Sequence, residues 1–496
     1  MFKKKKKFIQ RNIGATKNYT SYKDMIKPRR SSGWFSKIFF VCFCIILVLF
    51  LGRYIVSFAQ FSISQITKGT VGILSKSIGQ EMKKDEFGNI NVLIVWYGGT
   101  GHAWAFLADS IMVASFNPQL WAVTMISIPR DLYVNEKQWG IIGRINEVFA
   151  VGVGRNRDFA TWAAMLSTTI QEILGIKVPY YALLDFGGFK HLIDTLGWVT
   201  VDVPESFSDS TYPTPDNGYM TVSFSSWVQQ MSGEKALEYA RSRHSTSDFS
   251  RSLRQQLIVN ALIQKLKDQG ISNITKIKSL YAEYTKIVKT NIALKEMIGL
   301  GKYVYQLKHM FSYGLTTECS NIVAKFSHPW CFLYTPSRDL FGWASIMIPD
   351  GGTPGNVSFY EYTQKFGSYV AHNQSYQIEN PRIMIMNWID KTFAKKTLKK
   401  ADGFANQLAV KLKKYAFNII DTQNFIQPIS GTTLYVLSTG QVNHTIESLQ
   451  DFVPNIQVFQ QKDQVGFEDL TGIDLVLVLG NDYISSLVQQ PFNYYK

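Results

Sequence analysis

Cysteine is scarce, with four residues in a chain of 496. Cys42 and Cys44 fall inside an apolar run, which leaves only Cys319 and Cys331 for a disulfide. The seven histidines are scattered, so no Cys/His cluster with metal-ligand spacing exists and a structural zinc site is excluded. Charged residues make up only 18% of the chain, and the net charge of +15 is unevenly placed. Residues 1–30 hold eleven Lys and Arg against Asp24 alone, so roughly +5 remains for everything after them. A basic tail is not a basic face, and no helix-turn-helix pattern is present, which together argue against nucleic acid as a partner. No small-residue cleavage site follows the first apolar run, which excludes a removed signal peptide.

That run is the first positive signal. Residues 35–51 read FSKIFFVCFCIILVLFL, and continuing to Phe58 gives the roughly 20 residues a bilayer requires. Arg53, near the far end, can snorkel toward headgroups. The lysines before the span place residues 1–33 in the cytoplasm, residues 34–58 in the membrane and the rest outside. This predicts a single-pass cell-membrane protein whose folded part is extracytoplasmic, where a Cys319–Cys331 bridge could persist. Residues 59–89 read as a juxtamembrane stalk.

Beyond the stalk, apolar runs predict strands at 90–96, 111–116, 121–128, 180–185 and 199–203. Helical patterns occupy 161–174, 189–196, 274–288 and 294–310, and strands alternating with helices predict an α/β domain of three α/β/α layers over residues 90–315. Residues 206–222 read as a loop, and 316–375 as an irregular, Gly/Pro-bearing extension. Strands at 382–387, 433–438 and 473–479 with a helix at 403–415 predict a small separate α/β unit over 376–490, without a nucleophile triad or metal motif.

The chemistry concentrates in residues 241–256, RSRHSTSDFSRSLRQQ. Arg241 and Arg243 alternate in what reads as an extended run, so both point to one side. A helix then starts near Asp248 or Ser250 and runs to about Lys267, with Gly270 as its stop. On it Arg251, Arg254 and Gln255 share a face, while Leu253, Leu257 and Ile258 read as the apolar stripe. Arginines converging at a helix start need an anion, and planar forks suit pyrophosphate. A solvated basic helix or a nucleic-acid face is the other reading of this stretch alone. Upstream, VTMISIPRDLYV is a β-branched run that breaks at Pro129 and presents Arg130 and Asp131 at its carboxyl end, where open α/β sheets hold ligands.

SIPRDLYV, the following GRINE (Gly143 to Glu147), GEKALEYARSRH and DFSRSLRQQ, in this order and spacing, resemble the LytR-CpsA-Psr family over residues 91–267. RIMIMN and IDLVLVLGNDY resemble the C-terminal domain often joined to LytR-type proteins. The resemblance implies a transferase that attaches glycopolymers carried on polyprenyl pyrophosphate to a peptidoglycan hydroxyl, assisted by Mg²⁺. It implies that Arg130, Arg241, Arg243, Arg251 and Arg254 clamp the pyrophosphate, with Arg144 in the substrate site and Gln255 as a neutral donor. Asp109 in LADS matches the family's metal-binding Asp, and Asp131 either holds an arginine or acts on the incoming hydroxyl. A non-catalytic, membrane-anchored protein that binds wall polyanions is the competing reading.

Two departures stand out. Where the family shows G-x-D-x-R after its first strand and an Arg before the second Asp, this chain has Trp96-Tyr97-Gly98-Gly99 and Leu107-Ala108-Asp109. Gly98, Gly99 and His102 could instead meet phosphate, the glycines through backbone N–H groups. Trp96, Trp198, Trp343 and Trp388 also stand where the resembling proteins usually have glycine, and Trp104, Trp121, Trp139 and Trp227 occupy turn-like places. Either the chain drifted to tryptophan, or its source reads UGA as glycine while the sequence was translated with UGA as tryptophan.

Overall fold

The computed structural model describes residues 81–99, 105–136, 140–156, 158–214, 218–242, 248–268, 288–293, 296, 307–317, 332–398, 403–426, 429–460 and 470–489. The tail, the 34–58 apolar run, Cys319 and Cys331 lie outside them. No helix among the described residues is long and apolar enough to cross a membrane.

A six-stranded sheet organises the first part of the chain. It uses β1 (Ile90–Tyr97), β2 (Ala108–Asn117), β3 (Ala122–Ile128), β6 (Tyr180–Asp185), β11 (Lys289–Thr290) and β12 (His309–Gly314), in the order β11-β6-β1-β2-β3-β12. Smaller pairs are β4 (Tyr133–Glu136) with β5 (Ile141–Arg144), β7 (Val199–Val203) with β10 (Trp227–Met231), and the hairpin β8 (Phe207–Pro213) with β9 (Tyr219–Phe224). The sheet is mixed: β1 runs parallel to β6 and β3 to β12, while β2 is antiparallel to both its neighbours. Every residue of β1 is buried, because alternate side chains serve two cores. Val92, Ile94 and Trp96 enter one, and Leu93, Val95 and Tyr97 the other.

Helices cover both faces. On the first lie α3 (Phe186–Thr195), α4 (Gly233–Arg241) and α5 (Asp248–Asp268); on the second, α1 (Ile145–Asn156) and α2 (Phe159–Leu174). Asp158 caps α2 by accepting from the Ala160 and Thr161 N–H groups, and Gly175 ends it at φ 67°. A Cβ on Gly175 would come within 3.2 Å of the Gln364 carbonyl oxygen, so glycine serves both the turn and the packing there.

Four expectations change. Residues 206–222 hold β8 and most of β9 rather than a loop, since Ser208, Ser210, Thr211, Thr221 and Ser223 face outward while Asp209, Tyr212, Val222 and Phe224 turn in. His309 and Met310 begin an edge strand rather than end a helix, because β3 offers a free parallel partner. The 316–375 extension carries α6 (Glu361–His372), which packs on α2, beside the short pair β13 (Leu333–Tyr334) and β14 (Ile348–Pro349). Between α6 and the last unit lies α7 (Gln374–Glu379).

The fourth concerns that last unit, which is less separate than its sequence suggests. It comprises β15 (Ile383–Asn387), β16 (Ile419–Asn424), β17 (Thr433–Val436), β18 (Gln457–Gln460) and β19 (Leu475–Leu479) in the order β16-β15-β19-β17-β18. Its helices include α8 (Lys391–Leu398), α9 (Phe404–Lys414), α10 (Asn443–Gln450) and α11 (Asn481–Gln489). Tyr415, Phe417 and Phe452 pack on Phe366, Tyr369 and Tyr376 of α6 and α7, so one apolar core runs through both units. Burying such side chains stabilises by about 1.5–3 kcal/mol each, which fixes the units to one another. A cavity of about 790 Å³ between them is lined by Phe87, Tyr369, His372, Lys411 and Phe452, and by none of the arginines singled out above.

Candidate anion site at the sheet edge

Pro129 stops β3 and turns Arg130 and Asp131 out at the edge, while Leu132 anchors the turn in the core. Arg130 Nη1 pairs with Asp109 Oδ1, and its Nε lies 3.7 Å from Asp131 Oδ2. Asp131 Oδ1 also meets Arg144 Nη1 at 3.5 Å, and Arg144 Nε donates to Glu147 Oε1 at 3.0 Å. The backbone locks this chain of charges, since the Asn146 N–H donates to the Arg130 carbonyl at 3.2 Å. Partly exposed pairs of this kind contribute about 0–1 kcal/mol each, so their main effect is orientation. Asp131 therefore holds two arginines. Asp109 is the second residue of β2 rather than a turn cap between strands.

The second arginine set lies across β2. Ser232 caps α4 by accepting from the Lys235 N–H, and Arg241 is the helix's last residue rather than part of an extended run. Its guanidinium sits 4.2 Å from the Phe186 ring centroid and donates to the Tyr212 hydroxyl at 3.4 Å. Among the described residues no carboxylate pairs with it. Burial pushes the Tyr212 hydroxyl up to about 12 against the opposing pull of Arg241, so it stays protonated.

On α5 the arginines themselves form the buried stripe. Arg251, Arg254, Gln255, Ile258 and Leu262 face inward, whereas Leu253, expected in the apolar stripe, is 39% exposed. The reason is the end of α4, whose carbonyls need donors. Arg254 Nε donates to the Tyr239 carbonyl at 3.0 Å, its Nη2 donates to the Ser242 carbonyl, and its guanidinium lies 4.7 Å from the Phe207 ring centroid. Burial lowers the Arg254 pKa from its usual value, the Tyr239 and Asp209 side chains opposing it. Gln255 donates to the Ala240 carbonyl at 3.3 Å and accepts from Ser110 Oγ at 2.7 Å, so its amide ties α5 to α4 and β2. Ser110 follows Asp109 on the opposite face of β2, and this pair of neighbours joins the two arginine sets.

The glycine turn after β1 behaves differently from expectation. Gly99, at φ 84°, donates its N–H to the Ala105 carbonyl at 2.7 Å, so that group is not offered to a phosphate. A Cβ there would lie 2.4 Å from Asp185 Cγ. Gly98 precedes it, while His102 and Arg243 lie outside the described residues. Asp185, at the end of β6, escaped the sequence reading, which placed it only as the last residue of a strand. It makes no side-chain cap bond. Its Oδ1 has no hydrogen-bond partner, and burial pushes the carboxyl up to about 9, partly offset by the Gly187 N–H and Lys289. Tyr212, Phe186 and Phe207 were also missed. The alternation of Phe207 and Asp209, continued at Tyr212 after a bulge, was the available signal.

Magnesium has a narrow foothold. Among the described residues no three His, Cys, Asp or Glu side chains gather into a metal site. Asp109 is a partly open carboxylate at the sheet edge, its side chain 26% exposed and shared with Arg130. It fits as a single hard ligand of an ion whose other ligands are phosphate and water.

Known proteins resemble part of this chain. It is 29% identical over 264 residues to the polyisoprenyl-teichoic acid–peptidoglycan teichoic acid transferase TagV of Bacillus subtilis (strain 168), covering 52% of this chain and 63% of that protein. It is 31% identical over 192 residues to the corresponding transferase TagU of Bacillus licheniformis, covering 38% of this chain and 56% of that protein. The chain thus spans less than two thirds of these relatives' lengths. The crystal structure of B. subtilis TagV superposes with a TM-score of 0.41 at 24% identity, over 58% of this chain and 98% of that one. The LytR_cpsA_psr family model matches residues 61–325, more than half the chain and the whole of both arginine sets, and on that match the chain belongs to the LytR_cpsA_psr family.

Proposed function

We propose that this protein is a membrane-anchored phosphotransferase that moves a glycopolymer from a polyprenyl pyrophosphate carrier to peptidoglycan or a similar wall acceptor, outside the cell. The observation that carries this reading is Arg241: a guanidinium without a carboxylate partner among the described residues, seated on Phe186 and Tyr212 above an aromatic core. A diphosphate supplies the missing anion, and the apolar side chains beside it suit an isoprenyl tail. The names of the relatives support the same substrates and acceptor.

In the reaction the acceptor hydroxyl oxygen forms a bond to the glycan-bearing phosphorus. The bond from that phosphorus to the bridging oxygen breaks, and polyprenyl phosphate leaves with the electron pair. The hydroxyl proton passes to solvent or to the departing phosphate. Such a transfer needs positioning and neutralisation of spreading charge more than covalent help. Arg241 and the Tyr212 hydroxyl hold the diphosphate, while Asp131 keeps Arg130 and Arg144 aimed at the edge where it sits. Asp109 would hold Mg²⁺, which supplies further charge neutralisation when bound.

The test uses full-length protein in detergent with a polyprenyl-pyrophosphate glycopolymer and peptidoglycan fragments. Release of polyprenyl phosphate that depends on the fragments is expected. Tight binding without release would make the protein a wall polyanion binder, and neither binding nor release would remove the diphosphate site.

A further inference from the structure

Six non-glycine residues among those described have positive φ: Trp121, Trp198, Trp343, Asn380, Ala416 and Asn455. Asparagine visits this left-handed region readily, whereas a bulky aromatic side chain is strained there. That half of them are tryptophan calls for a cause.

Two of the three share one geometry. After α3, Gly197 (φ 73°) is followed by Trp198 (φ 67°), whose N–H donates to the Ile193 carbonyl at 2.9 Å. After the 3-10 turn Arg338–Phe341, Gly342 (φ 61°) is followed by Trp343 (φ 68°), whose N–H donates to the Arg338 carbonyl at 2.8 Å. Each helical stretch therefore closes with two left-handed residues and a bond back over five positions, a place for glycine twice over. The indoles recover little by packing, since Trp198 is 50% exposed and Trp343 is 75% exposed. Trp121 (φ 54°) follows the turn in which Asn117 Oδ1 accepts from the Gln119 and Leu120 N–H groups. Trp96 shows a different strain: it is buried against Phe189, and its Nε1 has no acceptor. A buried indole N–H ordinarily finds a partner.

We infer that positions 121, 198 and 343, and with them 96, are glycine in the protein its source makes, the codon being one that was read as tryptophan. The claim is independent of the transfer reaction, because it rests on backbone geometry and an orphaned N–H.

Two measurements test it. In the full chain, Trp198→Gly and Trp343→Gly should each raise the melting temperature by about 2 °C, as relief of left-handed strain outweighs glycine's extra unfolded-state entropy. Trp162→Gly, in the interior of α2 where the indole is buried, is the control and should lower it clearly. Peptide mass spectrometry of the protein purified from its own source should read glycine at 198 and 343. An unchanged or lowered melting temperature in both variants overturns the strain argument. Tryptophan in the native peptides overturns the inference outright.

Discussion

The two arginine sets on either side of β2 solve the problem of crowded positive charge in opposite ways. Arg130 and Arg144 are matched by Asp109, Asp131 and Glu147 in a half-exposed chain of ion pairs. Arg241 and Arg254 sit against rings and backbone carbonyls. An ion-paired arginine is already neutralised, so an arriving phosphate gains little by joining it without displacing a carboxylate. An arginine held by neutral groups keeps its full charge for a ligand. On the proposed reading Arg241 therefore provides affinity, and the first set provides a preset geometry at the edge.

The largest effect should come from Arg241→Ala. Removing one donor aimed at developing charge lowers turnover about 10²–10³-fold. The melting temperature should barely move, since Arg241 is only half-buried and its partners are a hydroxyl and two rings. Phosphate-release kinetics beside a thermal melt check both halves, and a collapse of the melt would place Arg241 with the structural residues.

Arg254→Ala should behave in the reverse manner. The sequence marks Arg254 as a ligand residue equal to Arg241, but its fork satisfies the Tyr239 and Ser242 carbonyls at the end of α4. Deleting it leaves those acceptors unpaired in the core, at about 1–3 kcal/mol each. Urea unfolding of the variant should show that loss, and unchanged stability would return Arg254 to the ligand set.

Asp109→Asn tests the ion-paired set, with a smaller effect of about tenfold on turnover and a weaker response to added Mg²⁺. Titrating Mg²⁺ against both proteins decides this. An identical Mg²⁺ response would leave Asp109 as only Arg130's counter-ion.

How much of this the sequence revealed depended on whether the deciding contacts were local. Strands β1, β2, β3 and β6 were legible because their Val-, Ile- and Leu-rich runs admit little else, and α2 from its periodicity and the glycine at its end, whereas β11 and β12 were not. Arg130 and Asp131 were legible from the proline that ejects them. The hairpin of β8 and β9 was not, because its Ser, Asp and Thr match loop composition and only cross-strand pairing makes it a sheet. Nor was the burial of the α5 arginines. A polar i, i+3, i+4 face normally points to water, and only the unsatisfied carbonyls closing α4 draw it inward. Gly99 was read as a phosphate-binding amide because no local pattern shows that its N–H goes to the Ala105 carbonyl.

Asp185 sharpens the contrast from the carboxylate's side. Asp109 and Asp131 have guanidinium partners at the same sheet edge, whereas the Asp185 Oδ1 has no hydrogen-bond partner and its carboxyl is raised by burial to about 9. A raised folded-state value means that the native protein keeps a proton which the unfolded chain releases above about pH 4. Stability from this group is therefore complete below about pH 4 and declines as pH rises toward 9. Asp185→Asn keeps the shape and cannot ionise. Its advantage over the parent should be near zero at pH 4 and grow through pH 8 by up to about 1.4 kcal/mol per pH unit. Melts of the two proteins across that range provide the check. A gap that stays constant with pH would mean that Asp185 is ionised and paired like its neighbours, leaving Arg241 as the main asymmetry between the two sides of β2.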